Sequence, residues 1–227
     1  MSKHTRFLII LALAAAVSVG TASANVSIPV TNFSFETLPG GGLNQTGSNC
    51  SNTYSVGAIP GWIESGPGPS GQFNPGTPGC IFNSVPNGSI IAYTNDGTIS
   101  QTVGTTVVTG NTYTLTVFEG TRADCCTAGG DTADLLVNGV QYFATGTVAT
   151  AGNWTQWTAT YTGLAADAGD SITIQLGGTG NQADFDDVTL SYTTPSAVPE
   201  PAYLTLLAAG LGGMMMVVRR RSAKQRQ

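Results

Sequence analysis

The residues able to do chemistry in this chain are almost all carboxylates. Thirteen acids lie between Glu36 and Glu200, and the single histidine, His4, stands four residues from the N-terminus. Histidine is the usual general base near neutral pH, so Ser-His-Asp and Cys-His catalysis are excluded for the central part of the chain. Chemistry by carboxylates alone stays open. Glycoside hydrolysis needs two acids facing each other across a cleft, about 5–10 Å apart. Glu64 and Glu119 are the conceivable pair, but nothing in their spacing joins them. A non-enzymatic protein is therefore expected.

Four cysteines, Cys50, Cys80, Cys125 and Cys126, point to disulfides in an oxidising compartment. A bond between the adjacent Cys125 and Cys126 closes a strained eight-membered ring. Crosswise pairing is expected first, tying the loops of 38–83 to the segment "RADCCTAGG". Cys50–Cys80 with the adjacent pair bonded is the runner-up. Zinc would need Cys-x-x-Cys spacing or histidines, which are missing.

The two ends set the compartment. Lys3, His4 and Arg6 precede an apolar run from Phe7 to Val19, and Thr21-Ala22-Ser23-Ala24 supplies small residues for a cut after Ala24. That is a secretory signal, residues 1–24. The tail, 196–227, holds Pro199-Glu200-Pro201, an apolar run from Ala202 to Val218, and Arg219-Arg220-Arg221. The run is at the short limit for a membrane span, and the arginines would hold the C-terminus in the cytoplasm.

Seven of the eight basic residues belong to these ends. The part between them and through Glu200 sets thirteen acids against Arg122 alone, twelve net negative charges. Nucleic acid is excluded as a partner, because phosphate contacts need Lys and Arg. Divalent cations and neutral ligands such as sugars remain compatible.

Residues 25–195 suit one domain with a core. Apolar residues recur there with period two, and no sustained helical period is present. "SIIAYT" and "TISQTV" flank Asn95-Asp96-Gly97, which predicts a hairpin, and Asn138-Gly139 predicts a second. Tyr113, Leu115, Val117 and Glu119 share one face of a strand. So do Trp157, Ala159 and Tyr161, and Ile172, Ile174 and Leu176. In "ADFDDVTLSY", alternation sets Val188 and Leu190 against Phe185, Asp187 and Thr189. Residues 38–83 read as long loops around an isolated "IPGWIES" strand. The expected fold is all-β, an antiparallel jelly-roll β-sandwich, flanked by a signal helix and a C-terminal transmembrane helix.

"VTNFSFETLPGGG" with "IPGWIES" near the start, and "NWTQWTATYTG", "SITIQLGG" and "ADFDDVTLSY" near the end, resemble the galactose-binding-like jelly rolls. The similarity is to carbohydrate-binding modules of the family 4/9 type. It implies that the first and last strands are neighbours. It also implies that an acid from each holds a structural calcium ion: Glu36 and Asp186 first, with Asp187 in reserve. It places Trp62 in the core. Sugar binding would then need exposed aromatic platforms, with Trp154, Tyr93 and Tyr54 as the candidates and Phe73, Phe82 and Tyr142 behind them.

The order Pro-Glu-Pro, apolar helix, Arg cluster resembles the PEP-CTERM sorting signals of Gram-negative bacteria. That resemblance implies recognition by an exosortase-type protease, transient passage through the inner membrane, and release to the cell surface or extracellular matrix alongside exopolysaccharide. The implied function is a non-catalytic carbohydrate-binding surface protein. A structural or adhesive subunit that binds protein, and a carboxylate-type glycoside hydrolase, are the alternatives.

Overall fold

In the computed structural model of the protein, the described residues are 24–126, 130–195 and 210–211. The signal, the Pro-Glu-Pro motif and the Arg cluster fall outside them. One compact unit spans Ser23–Pro195. The second unit, made of the two ends of the chain, contributes the helical residues 210–211. Among the described residues no helix is long and apolar enough to cross a membrane.

The unit is an antiparallel β-sandwich of eleven strands. Two strands of unusual length belong to both layers: β6 (Ile91–Thr106) and β11 (Ser171–Thr193). The first half of β11 pairs with the second half of β6 and with β8 (Thr132–Val137), which continues to β9 (Val140–Phe143). The second half of β11 pairs with the start of β6, with β7 (Thr112–Thr121) and with β1 (Asn25–Ile28). β10 (Asn153–Thr162) extends that layer beyond β7. β5 (Ser70–Asn74), β3 (Thr53–Tyr54) and β2 (Gln45–Thr46) extend it beyond β6. β4 (Ile63–Ser65) edges the other layer.

Asn95-Asp96-Gly97 therefore does not end a hairpin. It lies inside β6, where Asp96 has φ 53°, opposite a register shift between Gly178 and Gln182 of β11. A left-handed residue in an irregular pair bends a strand as readily as it reverses one. Here the bend carries both strands from one layer to the other. Asn138-Gly139 does form the predicted turn: Val137 pairs with Val140, and both turn residues have positive φ. A Cβ on Gly139 would meet nothing within 4 Å, so Gly139→Val tests the backbone alone. Its φ of 75° should cost a branched residue about 1–2 kcal/mol, read as a lowered melting temperature.

The core between the layers holds Tyr113, Leu115, Val117, Ile172, Ile174 and Leu176 with Phe185, Val188 and Leu190. Strict alternation would have put Phe185 and Val188 on opposite faces. The register shift between Asp186 and Thr189, with Asp187 at φ 49°, absorbs one residue and returns both to the core. Trp62 is 7 % exposed and packs 5.4 Å from Phe35, in the core as expected. The opening segment is fixed to both ends of the pattern. Gln101 bonds Thr31 and Gly61, Trp62 Nε1 donates to the Asn32 carbonyl, and the Val188 amide donates to the Phe33 carbonyl.

Loops 47–57 and 75–90 cover the outer face of the β6–β11–β7 layer and build a second cluster of Phe73, Ile81, Phe82, Ile91 and Tyr93. The cysteine expectation is corrected here. The bonds are Cys50–Cys80, with Cα atoms 5.7 Å apart, and Cys125–Cys126. The loops bearing Cys50 and Cys80 already meet, since the Thr77 amide donates to the Cys50 carbonyl. The link expected from a crosswise disulfide is made instead by hydrogen bonds, Ala123 N–H to Ile81 C=O and Asn49 to Asp124.

Candidate functional site

A cleft of about 630 Å³ opens on the covered face, lined among others by Tyr54, Phe73, Tyr93, Asn49, Asn52 and Asn95. Tyr54 and Tyr93 meet edge to face at 6.4 Å. The Tyr93 hydroxyl donates to the Ser55 carbonyl at 2.9 Å. Burial, helped by Tyr54, Glu64 and Asp184 nearby, pushes its pKa up to about 12. Tyr93 is thus a neutral, anchored ring. Two of the three expected aromatics come together here, but only Tyr54 is partly exposed; Tyr93 is 5 % exposed and belongs to the buried cluster, so it is not the open platform expected. The third, Trp154, is not among the lining residues. It packs 4.6 Å from Phe82, and its Nε1 donates to the Ser84 carbonyl.

One wall of the cleft is a chain of polar side chains. Asn49 Nδ2 donates to Asp124 Oδ2 at 2.9 Å. Arg122 grips Asp124 with Nε and Nη2 at 2.9 and 2.8 Å, and its Nη1 donates to Gln182 Oε1 at 3.0 Å. Gln182 Nε2 donates to Asp184 Oδ1 at 2.8 Å. The Arg122 guanidinium also lies 5.2 Å from the centre of the Phe73 ring. The hydrogen bonds from Arg122 hold Asp124 below the usual carboxylate range. Asp184 lies fully buried, directly across the ladder from Tyr93. Burial pushes it up to about 7 against the pull of Gln182 and Arg122. The wall therefore presents amides and an internally neutralised ion pair rather than free charge.

The expected calcium residues are gathered around the loop before β6. Glu36 Oε1 accepts from the Ser89 and Ile90 amides, both at 2.7 Å. Asp186 Oδ2 accepts from the Asn87 amide and Oδ1 from the Asp187 amide, both at 2.8 Å. Asp187 Oδ1 accepts from Asn87 Nδ2 at 3.2 Å. Burial first, with Asp187 and Glu36 as like charges beside it, pushes Asp186 up to about 8 despite its two amide bonds. No cationic side chain is among the groups acting on it. A buried acid crowded by two others is the electrostatic setting that a divalent ion would relieve. Among the described residues no three His, Cys, Asp or Glu side chains form a ready metal cage. Backbone carbonyls and water would have to complete the shell.

Glu64 and Glu119 are not brought together as a pair. Glu64 lies on β4, in the layer opposite β7, and the charges acting on Glu119 come from Asp131 and Asp184.

Sequence reasoning missed the Arg122–Gln182–Asp184 relay. The signal was there in "NQADFDD": Gln182 and Asp184 are two apart on one strand, so they share a face.

The fold and site define an antiparallel β-sandwich with a ligand-sized cleft on one face and several buried acids. The chain belongs to the HpiC1-like family, whose model, described as "HpiC1 cyclase", matches residues 26–191. No curated protein matches the chain. Three solved structures show the range of similarity. A Clostridium thermocellum xylanase 10B structure of CBM22-1 and GH10 modules complexed with xylohexaose is 18% identical over 63% of this chain, at a TM-score of 0.40. The chain spans only 28% of that protein's length. The CBM22-1 xylan-binding domain of Paenibacillus barcinonensis Xyn10C is 12% identical over 63% of this chain and 97% of that one, at 0.42. A structure described as "CBM4 structure and function" is 21% identical over 72% and 99%, at 0.38.

Proposed function

We propose that the protein is an exported, non-catalytic β-sandwich that binds a neutral glycan in the Tyr54–Tyr93 cleft. The cleft wall is the observation that carries this. It offers the half-buried Tyr54 ring backed by the buried Tyr93, the amides of Asn49, Asn95 and Gln182, and an arginine whose charge is already matched. Sugars present alternating hydroxyls and apolar ring faces, which amides and aromatics match. On this reading the Pro-Glu-Pro tail is a sorting label read by an exosortase-type protease. The acidic domain is then delivered to the cell surface or matrix, beside exopolysaccharide. Calcium at Glu36 and Asp186, with Asp187 in reserve, would hold the opening segment against the closing strand.

Glycan-array binding by the full-length protein, with and without EDTA, tests the reading. Binding of neutral glycans, weakened at least about tenfold by Tyr54→Ala through loss of one platform, is the expected result. No binding in either state would sink it and favour a protein-binding surface subunit. For the metal, calcium should raise the melting temperature, and the Glu36→Ala, Asp186→Ala double variant should lose most of that shift.

A catalytic reading has two supports: the family's description as a cyclase, and Asp184, a buried acid poised to hold a proton near neutrality behind Tyr93. Conversion of a cleft ligand to a new product, abolished in Asp184→Asn, would replace the binding reading with this one.

A further inference from the structure

The two disulfides differ in what they can do for the fold. Cys50–Cys80 joins residues 30 apart in sequence, and Cys50 packs against the outer apolar cluster. Closing a loop of that length stabilises a fold by limiting the unfolded chain. Cys125–Cys126 joins sequence neighbours and closes no such loop, so it adds none of that stabilisation. It is also the more accessible bond. Cys125 is exposed, whereas Cys50 and Cys80 are both half-buried. An open depression of about 340 Å³ lies over it, lined among others by Arg122, Asp124, Cys125, Cys126 and Ala151.

The bond also fixes the backbone beside the cleft wall. Cys126 has φ 58°, where the Cβ of an L-residue crowds the following carbonyl. The ring ties this residue to Cys125 and leaves it little freedom to relax. Asp124, next in the chain, accepts from Arg122 and from Asn49, and the Ala123 amide donates to the Ile81 carbonyl. Asn49 and Ile81 are themselves the neighbours of Cys50 and Cys80. The segment bearing the accessible bond is thus docked on the loops that the other bond holds together. Arg122 lines both the depression and the cleft, so the Arg122–Asp124 pair is the partition between them.

We propose that Cys125–Cys126 is a redox-active site for an external dithiol, and that its reduction loosens residues 122–126 and the cleft wall they carry. Exposed disulfides are the labile ones, because exchange needs access for an attacking thiolate. A thiolate of the dithiol attacks the exposed Cys125 sulfur, the S–S bond breaks, and Cys126 leaves as the thiolate. The second thiolate of the dithiol then attacks its own partner sulfur in the mixed disulfide, and Cys125 leaves. Two electrons pass to the cysteine pair, each cysteine takes up a proton, and the dithiol departs as a disulfide. Cys126 is then free to abandon its left-handed conformation, which moves the backbone next to Asp124. The effect on a cleft ligand rests on the glycan reading of the cleft; the redox site does not.

Dithiothreitol added to the folded full-length protein, followed by N-ethylmaleimide and peptide mapping, tests the site. Cys125 and Cys126 should be labelled at dithiol concentrations that leave Cys50–Cys80 intact. Labelling of Cys50 and Cys80 first, or of all four together, overturns the proposal, and so does no labelling short of unfolding. Hydrogen exchange reads the loosening: the Ala123 amide should exchange on the order of tenfold faster after reduction, with the Thr77 amide beside the other disulfide unchanged. Equal exchange at Ala123 in both states overturns it. The Cys125→Ser, Cys126→Ser double variant should show the fast exchange without dithiol, and reduction of the wild type supplies the same comparison if that variant does not fold. Neutral-glycan binding should weaken on reduction. Absence of binding in both redox states refutes the glycan reading alone, and the labelling still decides the redox site.

Discussion

In EDTA the protein should melt at a clearly higher temperature near about pH 5 than near about pH 9, and calcium should remove the part of the difference due to Asp186. The cause is the number of acids whose protonated form the fold prefers. Burial pushes Asp134 up to about 6, Asp184 to about 7 and Asp186 to about 8, from an ordinary value of 3.8. Burial also raises Glu119 and Asp131, which lie against each other. An acid whose pKa is raised on folding contributes its full stability below the unfolded value. It loses that contribution as pH climbs through the folded one. The loss therefore begins a little above about pH 4 and accumulates through the values given for Asp134, Asp184 and Asp186. Asp124 acts in the opposite sense: Arg122 lowers it, so its contribution is present above the ordinary value and fades as pH falls. Five groups outweigh one.

Each buried carboxylate whose hydrogen bonds do not offset its burial costs about 1–3 kcal/mol when it ionises. A domain of this size loses about 2–4 °C per kcal/mol, so the combined fall should be on the order of 10 °C or more. Calcium held at Asp186, as proposed, should restore that residue's share and leave the share of Glu119 and Asp131 in place. The part due to Asp134 and Asp184 should remain. Calorimetry across pH, with and without calcium, checks it. A melting temperature in EDTA that is flat or rises with pH would show that these acids are solvated in the native state.

The sequence disclosed the layers better than their connection. Alternation placed Tyr113, Leu115 and Val117 together, and Ile172, Ile174 and Leu176 together, because an inner face is built mainly from apolar side chains. It failed at Asp96 and Asp187, the two positive-φ aspartates of the long strands. Asn-Asp-Gly is compatible with both a hairpin and a bulged bend. The choice depends on whether β11 lies alongside both halves of β6, which is a non-local fact. The same holds for Phe185 and Val188: a bulge shifts the face by one residue, and no local pattern records it. The acids Glu36 and Asp186 were found because each sits in a recognisable segment. Glu119 and Asp131 were not grouped, because they come from different strands and nothing in their spacing announces the meeting. The Asn49 and Asn52 wall of the cleft was hidden for a similar reason, being built from a loop that the Cys50–Cys80 bond holds over the sheet.

Replacing Arg122 by methionine should clearly destabilise this domain. Its ion pair with Asp124 looks like a surface contact in sequence, where such pairs contribute little. In the structure the two side chains are only 11 % and 16 % exposed. Removing the guanidinium leaves Asp124 without its two-pronged partner, frees Gln182 Oε1, and takes from Asp184 the one positive charge near it. Breaking a fully buried pair from one side costs about 3–5 kcal/mol; Asp124 as a residue is exposed, so water can take up part of the stranded charge and the cost should be about 1–3 kcal/mol. The phenyl ring of Phe73 also loses the cation above it. Arg122→Lys should fall between the two, since an ammonium keeps the charge but cannot reach both Asp124 oxygens and Gln182 at once. Asp124→Asn in the Arg122→Met background should recover part of the loss, because the stranded charge goes with it. The pH profile supplies the signature that a packing defect would not. The acid-side decline contributed by Asp124 should vanish in Arg122→Met, since its cause is the arginine. A methionine variant as stable as the wild type, with that decline intact, would mean that the relay from Asn49 to Asp184 is not what shapes the cleft wall.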